Sequence, residues 1–493
     1  MPLITFGEYR PDVADYEAAT SRNVLNVLPR GDGYGPFPSL TALSASLGAQ
    51  CRGAFVAYKT DGSVAIFAAT ATDLYVMNNT TFGWSKVSLA GGPYATISGT
   101  DQWRFAQFNN LVIAVQANVV PQVYDLTSST AFANLNGAPP QARYIDIVGQ
   151  FVVLSGLLSN PYRVQWSGLN DVNGATSWTP GINDSDFQDL PDGGIVRGVA
   201  GGETGVIFQD QAMRSMTFVP GSPFTFQIER ISQDKGLYGP YSLVRAGSLI
   251  FFFSAQGFHR IDPGSLPLPI GRERVDRTFF ADLDKGNLQL FIGAADPRNS
   301  RVLWAYKSAN GTANQFDKIL CYDWVLDKFT PITITGEYLL QVSQPGLTLE
   351  NLDAIAPGGS LDALTTSLDD FSTAVTPELA AFDPSHMLNF FRGPALEAVL
   401  ETGEQGTDGR RIKLRNGFRP VTDAVAVFGS ASTRENLQQV AAAGGESPIN
   451  PVTGICNLLV DTRYSRFRTR VPAATAWSFI SGVEPDLIAT GKR

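Results

Sequence analysis

Short apolar runs joined by tight turns recur about every 35 to 50 residues over the first two-thirds of this chain, and no other feature restricts its fold as much. The clearest copy covers residues 54–88, where AFVAYK, a turn at Asp61-Gly62, VAIFAA, LYVMN and WSKVS read as four antiparallel strands. A second copy, 103–135, turns at Asn109-Asn110, and further copies occupy 144–178, 195–229, 241–271 and 287–334. Four strands per repeat of about 40 residues is the pattern of a β-propeller. These units predict an all-β chain that opens with a propeller of about six four-stranded blades, give or take one.

A lone four-stranded sheet cannot bury both of its faces, so each blade needs neighbours, and a closed ring leaves only short, protected edges. Runs that are apolar at nearly every position, such as VAIFAA, LVIAV and LIFFF, fit sheets covered on both sides. Only 17% of residues are charged, while 48 Gly, 30 Pro and 31 Phe suit turn-rich β structure better than helix. At 493 residues the chain also exceeds one ordinary core, so a second domain is expected. No run of about 20 apolar residues is present, so no membrane insertion is expected. The opening MPLITFGEYRPDV lacks the basic-then-apolar order of a secretion signal, which points to assembly in a cytosol.

Charge divides the chain further. Residues 1–340 carry 24 Lys/Arg against 29 Asp/Glu, residues 341–386 carry none against seven, and residues 387–493 carry 13 against 10, for a net charge of −9. The resulting divisions are an N-terminal segment 1–50, a propeller 51–340, an acidic connector 341–386 and a C-terminal β domain 387–493. The first segment, with Pro2, Pro11, Pro29, Pro36 and Pro38, reads equally as an extended arm docking on a neighbour or as a strand that closes the propeller. In the connector, Asp353, Asp362, Asp369 and Asp370 lack the spacing of a calcium loop and read as solvated turn caps rather than a cation site. Cys51, Cys321 and Cys456 are odd in number and far apart, which argues against a disulfide framework; Cys321, inside ILCYDW, reads as a buried small hydrophobe.

Seven or so short strands in the last 110 residues suggest a sandwich or small barrel, and this domain carries the basic residues. In RYSRFRTRV the alternation puts Tyr464, Arg466, Arg468 and Arg470 on one face and Ser465, Phe467, Thr469 and Val471 on the other. With Arg410, Arg411, Lys413, Arg415 and Arg419 these arginines form a candidate ridge, either at a subunit joint, paired with acids, or close to DNA phosphates. The acidity of the whole chain favours pairing with acids of the connector or of a neighbouring subunit.

Catalytic patterns are missing from the sequence. His259 and His386 are its only histidines, and neither stands in a triad or H-E-x-x-H pattern; His259, in FHRID, reads as packing. The stretch GGIVRGVAGGETG (193–205) lacks dinucleotide-binding spacing. Residues 167–178, SGLNDVNGATSW, echo the Asp-box turn of sialidases once, with altered spacing, and nothing selects a pair of carboxylates for glycoside hydrolysis. No catalytic, cofactor-binding or metal-binding residue is assigned.

The opening ITFGEYRPDV, NVLP and GYGPFPSL, the internal SLDALTTSLDD and MLNFFRGPALEAVLETGE, and the ending RYSRFRTRV, GVEPDL and GKR resemble a family of short-tailed bacteriophage structural proteins, the tail nozzle or packaged-DNA stabilisation proteins. The resemblance spans most of the chain. It implies a virion tail protein assembled in the bacterial host cytoplasm. It further implies a six-fold ring below the portal and adaptor, with tail fibre or needle proteins as further partners and transient contact with genomic double-stranded DNA. No catalytic residue is carried over. The alternative is a host-surface glycan-binding propeller, and after it a propeller hydrolase; a conduit requires a symmetric ring, whereas those two can act as monomers.

Overall fold

The computed structural model describes residues 3–491 apart from 17, 91–92, 263, 345–375 and 407–409. Seven four-stranded antiparallel sheets make up a β-propeller. Blades 1 to 6 follow the repeats in order, beginning at Ala54–Tyr58, Arg104–Phe108, Ala142–Val148, Val196–Ala200, Val244–Ala246 and Ile292–Asp296. Hydrophobic clusters fill each gap around the ring. Phe67 and Trp103 pack between blades 1 and 2, Phe151 and Val199 between blades 3 and 4, and Phe258 and Trp304 between blades 5 and 6. Burial on both faces explains why Val64–Ala69, Phe151–Leu157 and Leu249–Ser254 are apolar almost throughout.

The seventh blade is discontinuous in sequence. It consists of Tyr338–Gln344, Thr376–Phe382, Met387–Ala395 and, as its fourth strand, Pro38–Ser46 from the N-terminal segment. Thr41 lies opposite Phe390, so the ring is locked by pairing between the two ends of the propeller segment. The propeller therefore begins at residue 38 and continues past both ends of the 341–386 segment, and the 51–340 boundaries and the connector are corrected accordingly. The four acids of the candidate cation site, Asp353, Asp362, Asp369 and Asp370, lie outside the described residues.

The second domain is a β-sandwich of two six-stranded sheets. One sheet centres on Ile412–Thr422 and Ile480–Ala489, the other on Phe428–Arg434 and Tyr464–Val471. Residues ahead of the propeller complete both: Ile4–Thr5 pairs with Ile480–Ala489, Val27–Arg30 and Gly33–Pro36 extend the first sheet, and Val24–Leu25 extends the second. Phe6, Val24, Tyr34, Leu400, Phe418, Phe467 and Ile480 form its core. Of the two readings of segment 1–50, the strand that closes the propeller holds for Pro38–Ser46, while the strands before it belong to the sandwich of the same chain. Gly417 marks a register shift in Ile412–Thr422, at φ +105°, where a Cβ would collide with the Cys456 carbonyl oxygen.

The two domains meet along the last strand of blade 6. Asn26 donates its backbone N–H to the Pro331 oxygen (3.0 Å), accepts from the Thr333 amide at Oδ1 (2.7 Å) and donates from Nδ2 to the Glu397 oxygen (2.8 Å). Arg274, in the turn after blade 5, pairs with Glu8 and Asp327. Asp12 accepts from the amides of Arg277 (2.8 Å) and Thr278 (2.9 Å) in the first turn of the helix Asp276–Asp282.

Candidate functional site

The arginine strand Tyr464–Val471 alternates as its sequence requires, with Ser465, Phe467, Thr469 and Val471 buried and Tyr464, Arg466, Arg468 and Arg470 on the other face. Acids of the same chain meet two of its guanidinium groups. Arg466 forms a two-pronged pair with Asp15 (2.8 and 3.1 Å) and lies 3.8 Å from Glu404, which also binds Arg434. Arg470 pairs with Glu446 (2.6 Å) and Glu397 (3.1 Å) and stacks over Phe428. The Arg468 Nε is buried without a hydrogen-bond partner among the described residues. Asp15 and Glu404 are almost wholly buried, so Arg466 ties the N-terminal segment to the sandwich. These partners come from the N-terminal segment and the sandwich, a placement that sequence proximity did not reveal.

The second basic stretch is more open. Arg411 pairs with Asp461 and Glu435 (both 2.9 Å), and Arg419 stands 3.5 Å from Glu484. Arg410, Lys413, Arg415 and Arg419 are exposed. The sandwich loops also present aliphatic side chains to solvent: Val425 is 84% exposed, Val440 95%, Val452 91% and Leu459 82%. The hairpin holding Val452 packs on Arg419, whose Nη2 donates to the Thr453 oxygen, and Leu459 directly precedes Val460, the strand partner of Leu414. Exposed aliphatic groups on turns, two of them next to the basic strand, suit a surface that becomes covered.

Sequence reasoning missed a second group of arginines. Four consecutive innermost strands carry one at their first or second position: Arg104, Arg143, Arg197 and Arg245. The signal stood in WRFAQF, ARYIDIV, IVRGVAG and LVRAG, but it has meaning only once those strands are known to surround one axis. Two cavities lie there. One, about 460 Å³, is walled by innermost strands of blades 1, 2, 5, 6 and 7 and includes Arg104 and Arg245. The other, about 660 Å³, includes Arg143, Arg197, Tyr144, Tyr241 and Lys285. Arg104 sits over the Tyr241 ring at 5.8 Å, so the two cavities share that contact.

Acids balance part of this charge. Arg143 is 3.3 Å from Asp101 and Arg197 pairs with Asp210, while Arg245 donates to the Gly201 and Gly247 carbonyls. Burial raises the Asp146 pKa, and the Gly201 and Ile147 amides, with Arg104 and Arg245 nearby, pull it back only in part. Burial also raises the Tyr144 hydroxyl to about 12, so this ring stays neutral and can donate.

The remaining sequence candidates are structural. His259 is buried, stacked on Phe252 and hydrogen-bonded through Nδ1 to the Gly257 carbonyl (2.9 Å), and burial lowers its pKa. In the Asp-box echo, Asp171 accepts from the Gly174 amide and Trp178 is buried, which makes a turn. All three cysteines are buried, and burial pushes the Cys321 thiol up to about 12. Among the described residues no cluster of His, Cys, Asp and Glu could hold a metal ion, and no helix is long and apolar enough to cross a membrane.

No protein-family model matches the chain, and no curated protein matches it. Many solved structures are similar to it, among them two from Bacteroides thetaiotaomicron. A quinonprotein alcohol dehydrogenase-like protein from Bacteroides thetaiotaomicron shares 11% identity over 59% of this chain and 68% of its own, with a TM-score of 0.35. The extracellular domain of a one component system from B. thetaiotaomicron shares 9% identity over 86% of this chain and 47% of its own, with a TM-score of 0.39. This chain thus spans about half the length of the second. Likenesses at this level leave function unassigned.

Proposed function

We propose that this chain is a structural component of a bacteriophage short tail, in which several copies form a ring below the portal and adaptor that retains packaged DNA and conducts it during ejection. One observation carries the reading beyond the motifs themselves. The two stretches that hold most of the family resemblance, at opposite ends of the chain, fold together in the sandwich: Ile4 pairs with Val483 and Tyr34 with Ile480. That same domain bears the exposed aliphatic loops and the exposed Lys413 and Arg415, as a domain used for joining copies would. The propeller's axial cavities are far too small for duplex DNA, so a conduit is the opening enclosed by the ring. A net charge of −9 suits a wall that DNA must slide past without binding tightly. The test is electron microscopy of phage particles that contain the protein, with the chain tagged. A tagged ring at the distal end of a short tail supports the reading; a tag spread over the capsid, or absent from particles, overturns it.

One observation favours a second reading, a host-surface glycan-binding propeller. The axial cavities mix tyrosine rings with guanidinium and amide donors, a composition that suits a polar ligand. Binding of a host polysaccharide by monomers, with no ring formed, would establish that reading in place of the first.

A further inference from the structure

We infer that the two axial cavities of the propeller together bind a small organic oxyanion, a carboxylate or phosphate carried on a hydroxylated body about the size of one or two sugar rings. This is independent of ring formation, and it narrows the glycan reading to an acidic ligand.

The charge balance is the first argument. The cavity walls and their neighbourhood carry Arg104, Arg143, Arg197, Arg245 and Lys285 against Asp101, Asp146 and Asp210, an excess of two cations in a chain whose overall charge is negative. Positive charge concentrated in a cleft with protein walls attracts anions more strongly than the same charge on an open surface.

Unused donors are the second. Arg197 engages Asp210 through Nε, and Arg143 engages Asp101 through Nε and the Gly156 carbonyl through Nη1. The terminal nitrogens of Arg197 and the Nη2 of Arg143 have no protein partner among the described residues. A carboxylate or phosphate accepts from several guanidinium nitrogens at once and with charge assistance, which a hydroxyl alone does not.

The third argument concerns the body of the ligand. Tyr144 and Tyr241 meet edge to face at 6.1 Å and line the larger cavity together with Tyr238. Gln289 lies in the same wall, its amide nitrogen held by Asn287 (3.0 Å). Aromatic faces beside guanidinium groups fit a ligand whose hydroxylated body packs on the rings while its anionic group meets the cations.

Calorimetric titration of the full chain in low-salt buffer tests this, using inorganic phosphate, glucuronate, a sugar phosphate and a neutral trisaccharide as probes. The expected result is saturable binding of at least one anion, weakened about tenfold or more in the Arg143→Gln/Arg197→Gln double variant at a temperature where that variant is fully folded. Preference for phosphate or for glucuronate identifies the oxyanion. If the double variant does not fold, Lys285→Gln decides, since this exposed rim residue is expected to weaken binding about threefold without touching the fold. No anion binding up to about 10 mM, or binding that is indifferent to both variants, overturns the inference. So does equal affinity for the neutral trisaccharide, a result that would leave the glycan reading standing.

Discussion

Single residues hold the two domains together. Asn26, at φ +59°, makes three hydrogen bonds that link a blade 6 strand to the sandwich, and asparagine tolerates that backbone conformation better than most residues. Asn26→Ala removes the two side-chain bonds and is expected to lower stability by roughly 2 to 3 kcal/mol, measured by urea unfolding. Asp276 controls a pH response. Burial, reinforced by nearby Asp12, raises its pKa from 3.8 to about 6, against the opposing Phe258 amide. The folded protein therefore holds this proton more tightly than the unfolded chain. Its contribution is full below about pH 4, falls as pH rises to about 6 and is flat above, a loss on the order of 2 to 3 kcal/mol. Relative to wild type, Asp276→Asn should gain stability between pH 4 and 6.5; parallel curves would refute the assignment. At this scale the sequence was partly legible: alternation placed Arg466, Arg468 and Arg470 on one face, but their partners Asp15, Glu397 and Glu446 are brought there by folding, and no local pattern announces them.

Among elements, the closing strand Pro38–Ser46 does the most to define the propeller. Six blades are visible as repeats because each is a continuous meander. The seventh escaped notice because 31 residues separate its first two strands and its fourth comes from the other end of the propeller segment. Glu337 reinforces the closure: its carboxylate accepts from the Cys51 amide (2.9 Å) and faces His386 Nδ1 (2.7 Å), so blade 7 is pinned to the start of blade 1. Amides of Pro38–Ser46 are expected to exchange with deuterium only through global unfolding, together with those of Met387–Ala395. Exchange of this strand ahead of the outer strands of blades 1 to 6 would mean that closure contributes little. Glu337→Ala should make that early exchange appear, because it leaves the Cys51 amide unpaired.

For the whole molecule, the sandwich is the domain where the chain's two ends, its exposed aliphatic loops and its open basic face coincide. Tyr464–Val471 and Ile480–Ala489 lie within its two sheets, so deleting residues 460–493 would dismantle the domain rather than probe an interface. Surface substitutions are the cleaner instrument. Val440→Asp with Val452→Asp should leave the unfolding transition within about 0.5 kcal/mol of wild type. If these loops join copies, the same pair should weaken assembly about tenfold or more, since each places a charge where apolar surface is to be covered. The central claim is that this chain works as one member of a closed ring. Sedimentation at high protein concentration, alone and with the matching adaptor, tests it most directly. The expected result is a single species of fixed copy number that is lost in the Val440/Val452 variant; a monomer under both conditions would contradict the account.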